Sequence, residues 1–177
     1  MKTSVSHPLR VDFLPAAPFA PGRLGLTLAP GKRDRHAAAG PWSRDLELDL
    51  ERLRSHYGTD ALVTLLERGQ LGIDELALLE IPTLLERVPE HGIETIWFPI
   101  ADGQAPAFVA DTLTLVETVR TRTDASKTVV IHCRGGLGRA GTVAAYCLVA
   151  RAHAPQEAIA AVRRSRSPAA VETRAQE

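Results

Sequence analysis

Between residues 129 and 142 the chain reads V-V-I-H-C-R-G-G-L-G-R-A-G-T. Its β-branched start is the most strand-like run in the sequence and leads directly into Cys133. An alanine-rich stretch follows to about His153 and reads as a helix. Between the two, Gly135, Gly136 and Gly138 permit a turn that side chains with a Cβ resist. A buried strand delivered into a helix through a tight glycine turn commits the chain to an α/β arrangement, because strand and helix must then pack on each other.

The rest of the sequence agrees. Leu24, Leu26 and Leu28 alternate within 23–29, a short strand closed by Pro30 and Gly31. Ser43 is a candidate cap for a helix whose Leu46, Leu50, Leu53 and Tyr57 repeat at helical spacing, ended by Gly58. Residues 61–66 are an apolar run of strand length, 74–79 are helical, and a second helix begins near Pro82 and stops by His91 and Gly92. Residues 93–100 read as a buried strand carrying Ile93, Ile96, Trp97 and Phe98. Residues 106–122 form a helix with Phe108, Val109, Leu113, Val116 and Val119 turned inward, and 155–164 form the last helix. Strands alternating with helices predict a single α/β domain over 23–177, with a central, mostly parallel sheet flanked by helices. Residues 1–22, rich in Pro and Ala, are expected to be an N-terminal arm, extended or partly disordered, and 32–41 a polar loop. In such sheets ligands bind beyond the carboxyl ends of the strands.

Composition narrows the function by exclusion. With 21 basic and 21 acidic side chains the chain lacks the basic footprint of a nucleic-acid binder, and Arg163, Arg164 and Arg166 read as a solvated helix end. No apolar run reaches the roughly 18 residues of a membrane span, and no apolar core of a secretory signal stands at the N-terminus. The two cysteines, Cys133 and Cys147, make no disulfide framework, so a reducing, cytoplasmic setting is expected. Cys147 reads as a small buried helix residue; about 12 Å of helix past the glycine turn puts it out of disulfide reach of Cys133. His36, His56, His91 and His153 have no ligand spacing, so no metal and no cofactor are expected. Trp42 and Trp97 read as packing residues.

The glycine turn carries the chemistry. Successive inward N–H groups form an anion-binding nest, and the helix behind it adds the positive end of its dipole. Arg134, Gly135, Gly136, Leu137 and Gly138 would form the nest, and Arg139, at the helix start, can hold two oxygens of a phosphoryl group. The same field favours a thiolate at the position of Cys133. A nucleotide-binding loop would need Lys-Ser/Thr after its last glycine, which this loop lacks. A thiolate attacking phosphorus needs an acid for the leaving group, and Asp102, in P-I-A-D-G-Q-A-P, is the leading candidate. On spacing alone an Asp before Gly reads as a turn residue before it reads as an acid.

The pattern of Cys133, five residues, then Arg139, preceded by His132, resembles the signature loop of protein-tyrosine and dual-specificity phosphatases. The strings at 24–31, 99–103, 131–139 and 169–177 resemble most closely the cyclin-dependent-kinase-associated phosphatases, the cyclin-dependent kinase inhibitor 3-like family. The resemblance implies a phosphomonoester hydrolase acting on phosphorylated protein or peptide, sensitive to phosphate analogues such as vanadate. It implies Cys133 as nucleophile through a cysteinyl-phosphate, Arg139 as phosphate ligand and Asp102 as general acid and then base. His132 would support the loop and the thiolate by hydrogen bonds, and Gln176 would orient the hydrolytic water.

Two departures accompany it. Ala140 stands where the family carries Ser or Thr, whose hydroxyl helps the thiolate leave, and Thr142 is the nearest substitute. A chain ending at Glu177 is expected to leave Gln176 poorly fixed. Two rival readings stay open: a phosphate-binding pseudophosphatase with little turnover, and a rhodanese-like sulfurtransferase, against which the conjunction of Arg139 with Asp102 argues.

Overall fold

The computed structural model describes residues 1–37, 39–70 and 72–177. Strands β1 (Asp12–Phe13), β2 (Arg23–Leu28), β5 (Ala61–Thr64), β6 (Glu94–Trp97) and β7 (Thr128–Cys133) form one sheet in the order β1-β2-β7-β5-β6. All pairs are parallel except β1 with β2. A second, two-stranded ribbon joins β3 (Arg33–Asp34) to β4 (Trp42–Ser43). The helices are α1 (Leu46–Ser55), α2 (Glu75–Leu78), α3 (Leu84–Glu90), α4 (Val109–Asp124), α5 (Gly138–Val149) and α6 (Pro155–Ser165). This is the α/β fold with a mostly parallel central sheet that the alternation of elements predicts.

The period-2 alternation of the strands divides the core in two. Leu24, Leu26, Val63, Val129 and Ile131 point to the face covered by α4, α5 and α6. Leu62 and Val130 point to the other, where they meet Leu50, Leu53, Leu76, Leu84 and Val88. Strand β7 is central and buried along its whole length, as its Val-Val-Ile run demands. Helix α5 is buried on nearly all sides, which fits its small residues: Ala140, Ala144 and Ala145 let it lie close against its neighbours.

Several sequence expectations shift. Ser43 belongs to β4, and Asp45 is the cap of α1, its carboxylate accepting the Leu48 N–H at 3.0 Å. The strand β6 is not buried: it is a sheet edge paired only with β5, and Trp97 is 41% exposed. In α4 the inward residues are Leu115, Val116, Val119 and Thr123, whereas Phe108, Val109 and Leu113 face solvent. Both stripes have helical period and share Val116 and Val119, so periodicity alone does not fix which one docks on β7 and α5. The stretch 32–41, expected as a polar loop, carries β3 and meets β4 as a ribbon; its Ala38 lies outside the described residues.

Residues 1–22 run over the domain. β1 pairs with β2, and Leu9, Val11, Leu14 and Phe19 are buried in the two cores. A buried ion pair fastens this segment and the β3–β4 ribbon to α1. Arg44 holds Asp49 through two hydrogen bonds of 2.7 and 2.8 Å and donates to the His7 carbonyl, while Asp49 also accepts the Gly31 N–H. With every nitrogen of Arg44 and both oxygens of Asp49 bonded, the pair meets the condition under which a buried ion pair is tolerated.

Candidate active site

The parallel register brings Leu28, Thr64, Trp97 and Cys133 to the same end of the sheet, the carboxyl end. There Cys133 leaves β7, and the chain turns through Arg134, Gly135, Gly136 and Leu137 into the first turn of α5 at Gly138. Gly136 has φ +71°, and a Cβ there would lie 2.2 Å from the Thr27 carbonyl oxygen, so the turn requires glycine on both counts. No side chain caps α5 at Leu137, which leaves the first-turn N–H groups free for an anion.

The cradle is braced through its carbonyls by Arg166, which stands at the end of α6 and also lines the cavity. It donates to the carbonyls of Gly135 (3.1 Å) and Gly136 (3.0 Å) and pairs with Asp12 of β1 at 2.5 Å. Carbonyls held outward leave their N–H partners turned inward, the orientation an anion nest needs. Arg166 is therefore not a solvated helix end. Nor is Arg163, which binds the carbonyls of Ala170 and Val171. Nothing local in the sequence distinguishes these arginines from surface ones, because their partners lie on other elements.

Arg139 is buried, its side chain 1% exposed. The Glu75 carboxylate receives both of its terminal nitrogens, at 2.6 and 2.8 Å, and the Ile100 carbonyl receives one at 2.9 Å. Burial opposes the charge on Arg139, but the Glu75 hydrogen bonds and the nearby negative charges outweigh it and raise its pKa. Sequence reading missed Glu75, which sits on a helix of four residues far away in the chain.

Asp102 lies just past β6, with Oδ1 2.9 Å from Arg139 Nη2 and its own side chain 61% exposed. The chain's last turn holds this loop: Thr173 Oγ1 donates to the Gly103 carbonyl at 2.9 Å and Gln176 Nε2 to that of Gln104 at 3.3 Å. Gln176 is itself fixed, contrary to expectation. It is 3% exposed, and its Oε1 accepts the N–H groups of Glu172 (2.9 Å) and Thr173 (3.3 Å). It packs on Gly138, where a Cβ would come within 2.9 Å of it.

His132 points to the opposite face of the sheet from Cys133, where its Nε2 meets Thr64 Oγ1 at 2.8 Å and its Nδ1 is buried without a partner. Burial pushes its pKa down to about 3, so the imidazole is neutral. Its Nε2 bond goes to β5, while the neighbouring Cys133 backbone acts against the lowering of its pKa. Cys147 is buried, and burial pushes its thiol up to about 12; both cysteines are free. Ala140 packs in the core, and the Thr142 hydroxyl donates to the Gly138 carbonyl at 3.1 Å, so it is committed to its own helix.

Cys133, Arg134, Gly135, Leu137, Arg139 and Asp102 line one open cavity of about 600 Å³. Arg134 turns its side chain to Asp34, Nε to Oδ2 3.0 Å. The β3–β4 ribbon forms the far wall with Lys32, Asp34 and Trp42. Trp42 packs and lines at once: it is half-buried, with the cations of Lys2, Lys32 and Arg44 5.0–5.7 Å from its ring.

Fold and loop together define the class, a phosphatase domain of the protein-tyrosine and dual-specificity type. The chain belongs to the family described as the Swiss Army Knife protein, DSP-PTPase phosphatase domain, whose model matches residues 64–177. It is similar to cyclin-dependent kinase inhibitor 3 of Mus musculus, 30% identical over 168 residues that cover 94% of this chain and 74% of that protein. Among solved structures it is similar to kinase associated phosphatase with its catalytic-site cysteine replaced by serine, at a TM-score of 0.84 and 30% identity, covering 96% of this chain and 90% of that one. It is also similar to Tk-PTP in its active form, with a TM-score of 0.65 and 31% identity over 88% of this chain and 86% of that one. Among the described residues no helix is long and apolar enough to cross a membrane.

Proposed function

We propose that the protein hydrolyses phosphomonoesters on phosphorylated protein, phosphotyrosine and also phosphoserine or phosphothreonine, through a cysteinyl-phosphate. The observation that carries this reading is the meeting of Cys133, Arg139 and Asp102 in one cavity at the carboxyl end of the sheet. The name of the kinase associated phosphatase supports a phosphoprotein as substrate.

The phosphoryl group docks on the N–H groups of residues 134–138 and the α5 dipole, with Arg139 holding two of its oxygens. Cys133 Sγ attacks phosphorus, an S–P bond forms, and the P–O bond to the substrate breaks. Asp102 gives its proton to the departing oxygen. Water then attacks phosphorus while Asp102 takes its proton; Gln176, bonded through Oε1 to Glu172 and Thr173 and through Nε2 to Gln104, has only its second Nε2 hydrogen left to orient that water. The S–P bond breaks, and phosphate and thiolate result. The chain's own residues supply every step, and a reducing cytoplasmic setting keeps the thiolate available.

A second reading rests on Ala140. With no hydroxyl after Arg139, and that of Thr142 spent on Gly138, the thiolate lacks a donor as it leaves. A protein of this kind captures phosphoproteins and turns over slowly. Hydrolysis of p-nitrophenyl phosphate by wild type, blocked by vanadate and abolished in Cys133→Ser, tests the enzyme reading; equal activity in the two proteins would sink it. A burst of nitrophenolate followed by a slow phase, with the slow phase faster in Ala140→Ser, would favour the second reading.

A further inference from the structure

The cavity contains a cation that the proposed reaction does not use. Lys32, between β2 and β3, is 4% exposed and lines the cavity, its ammonium held among the cavity-lining residues Arg134 and Trp42. It makes one side-chain hydrogen bond, Nζ to the Arg134 carbonyl at 3.1 Å, and stands 5.7 Å from the Trp42 ring. An ammonium has three donors, and no carboxylate lies within ion-pair distance of this one among the described residues. The nearest acid, Asp34, is spent on Arg134 and on the His36 N–H. A buried, unpaired ammonium beside a phosphate cradle is costly unless something anionic meets it.

Its position decides what that anion is. In a nest the N–H groups converge on the anion and the carbonyls diverge from it. Lys32 is bonded to a diverging carbonyl, so it stands beside the cradle and not at its centre. The scissile phosphoryl already has the loop N–H groups and Arg139. Taking the proposed function as its basis, we infer that Lys32 binds a second anionic group next to the phosphorylated residue, so that the preferred substrate is an acidic phosphopeptide.

Burial lowers the pKa of Lys32 to about 8, with Asp34 and Cys133 opposing the shift and Arg134 and Arg44 adding to it. Lys32 is therefore charged at neutral pH and loses its charge as pH rises through about 8. A change with pH that alters the turnover of every substrate alike cancels in a ratio of two substrates. Recognition of a second anion by Lys32 does not cancel.

The test uses two phosphotyrosine peptides, one with glutamate on both sides of the phosphotyrosine and one with glutamine. Wild type should show kcat/KM about tenfold higher for the acidic peptide at pH 7, as one charge-assisted hydrogen bond allows. The ratio should fall toward one above about pH 8. Lys32→Gln should hold the ratio near one at every pH, and Lys32→Arg should keep it high to pH 9. If Lys32→Gln does not fold, the wild-type pH dependence and Lys32→Arg still decide. A wild-type ratio of one, or one unchanged in Lys32→Gln, overturns the inference while leaving the proposed function intact. No hydrolysis of either peptide or of p-nitrophenyl phosphate overturns the proposed function itself. Faster Lys32-dependent hydrolysis of a soluble inositol bisphosphate than of the acidic peptide overturns the peptide assignment.

Discussion

Asp102 Oδ1 rests 2.9 Å from Arg139 Nη2, so the acid and the phosphate ligand of the proposed reaction are paired with each other before any substrate arrives. The pair is asymmetric: the arginine is buried and the aspartate mostly exposed. An entering phosphoryl group competes with Asp102 for the same guanidinium edge and moves the carboxyl toward the leaving oxygen. Asp102→Asn removes both the proton donor and the competitor. Its kcat on phosphotyrosine peptide should fall on the order of 100-fold or more, with a smaller loss on p-nitrophenyl phosphate, whose leaving group hardly needs an acid. Vanadate, measured by inhibition, should bind as tightly as to wild type or tighter. Weaker vanadate binding would show that Asp102 orders the site rather than competing in it.

Glu75 gives Arg139 its orientation. Two hydrogen bonds and the Ile100 carbonyl fix the guanidinium in one plane, and Glu75 Oε2 also accepts the Glu67 N–H. Removing one partner of a buried ion pair leaves an uncompensated charge, at a cost of about 3–5 kcal/mol. Glu75→Gln keeps the shape and one acceptor, so its loss should lie near about 3 kcal/mol, read from urea unfolding. The same variant should weaken inhibition by phosphate, because a guanidinium freed from its plane no longer meets two oxygens at once.

Arg166 and Asp12 brace the carbonyls of the cradle from elements that the loop does not touch in sequence. Arg166→Ala should lower kcat/KM about tenfold through the orientation of the Gly135 and Gly136 peptides. Asp12→Asn should do part of the same, and the double variant should be little worse than Arg166→Ala alone, since both act on one structure. Strict additivity in this cycle would separate the two residues.

These partners mark the boundary of what the sequence reveals. The path from β7 through the loop into α5 is legible because each requirement is local: a β-branched run, glycines at the turn, small residues in the helix. Asp102 was placed by resemblance, since an Asp-Gly pair has too many other uses. Glu75, Arg166, Asp12 and Lys32 reach the site through the pairing of distant strands, antiparallel at β1 and parallel elsewhere, and the docking of α2 and α6. Hydrophobic period tells which face of an element is buried but not against what, as the two competing stripes of α4 illustrate. An ion pair between elements leaves no pattern at all in one sequence.

His132 ties pH to stability. It is neutral in the fold, with its pKa pushed by burial from 6.5 to about 3, while in the unfolded chain it titrates normally. Between those values the unfolded state binds the extra proton, so stability is complete above about pH 6.5 and declines as pH falls toward 3. At pH 5 the loss from this one group is about 2 kcal/mol, from 1.36 kcal/mol per unit over the interval already crossed. The Thr64 hydroxyl holds the ring in place but cannot remove the cost, because Nδ1 has no partner to share a proton. His132→Asn should start less stable at pH 7, through the changed contact with Thr64, and should lose about 2 kcal/mol less than wild type on going to pH 5. Urea unfolding of both proteins at the two pH values checks this. Equal losses would mean that carboxylates, and not His132, set the acid limb.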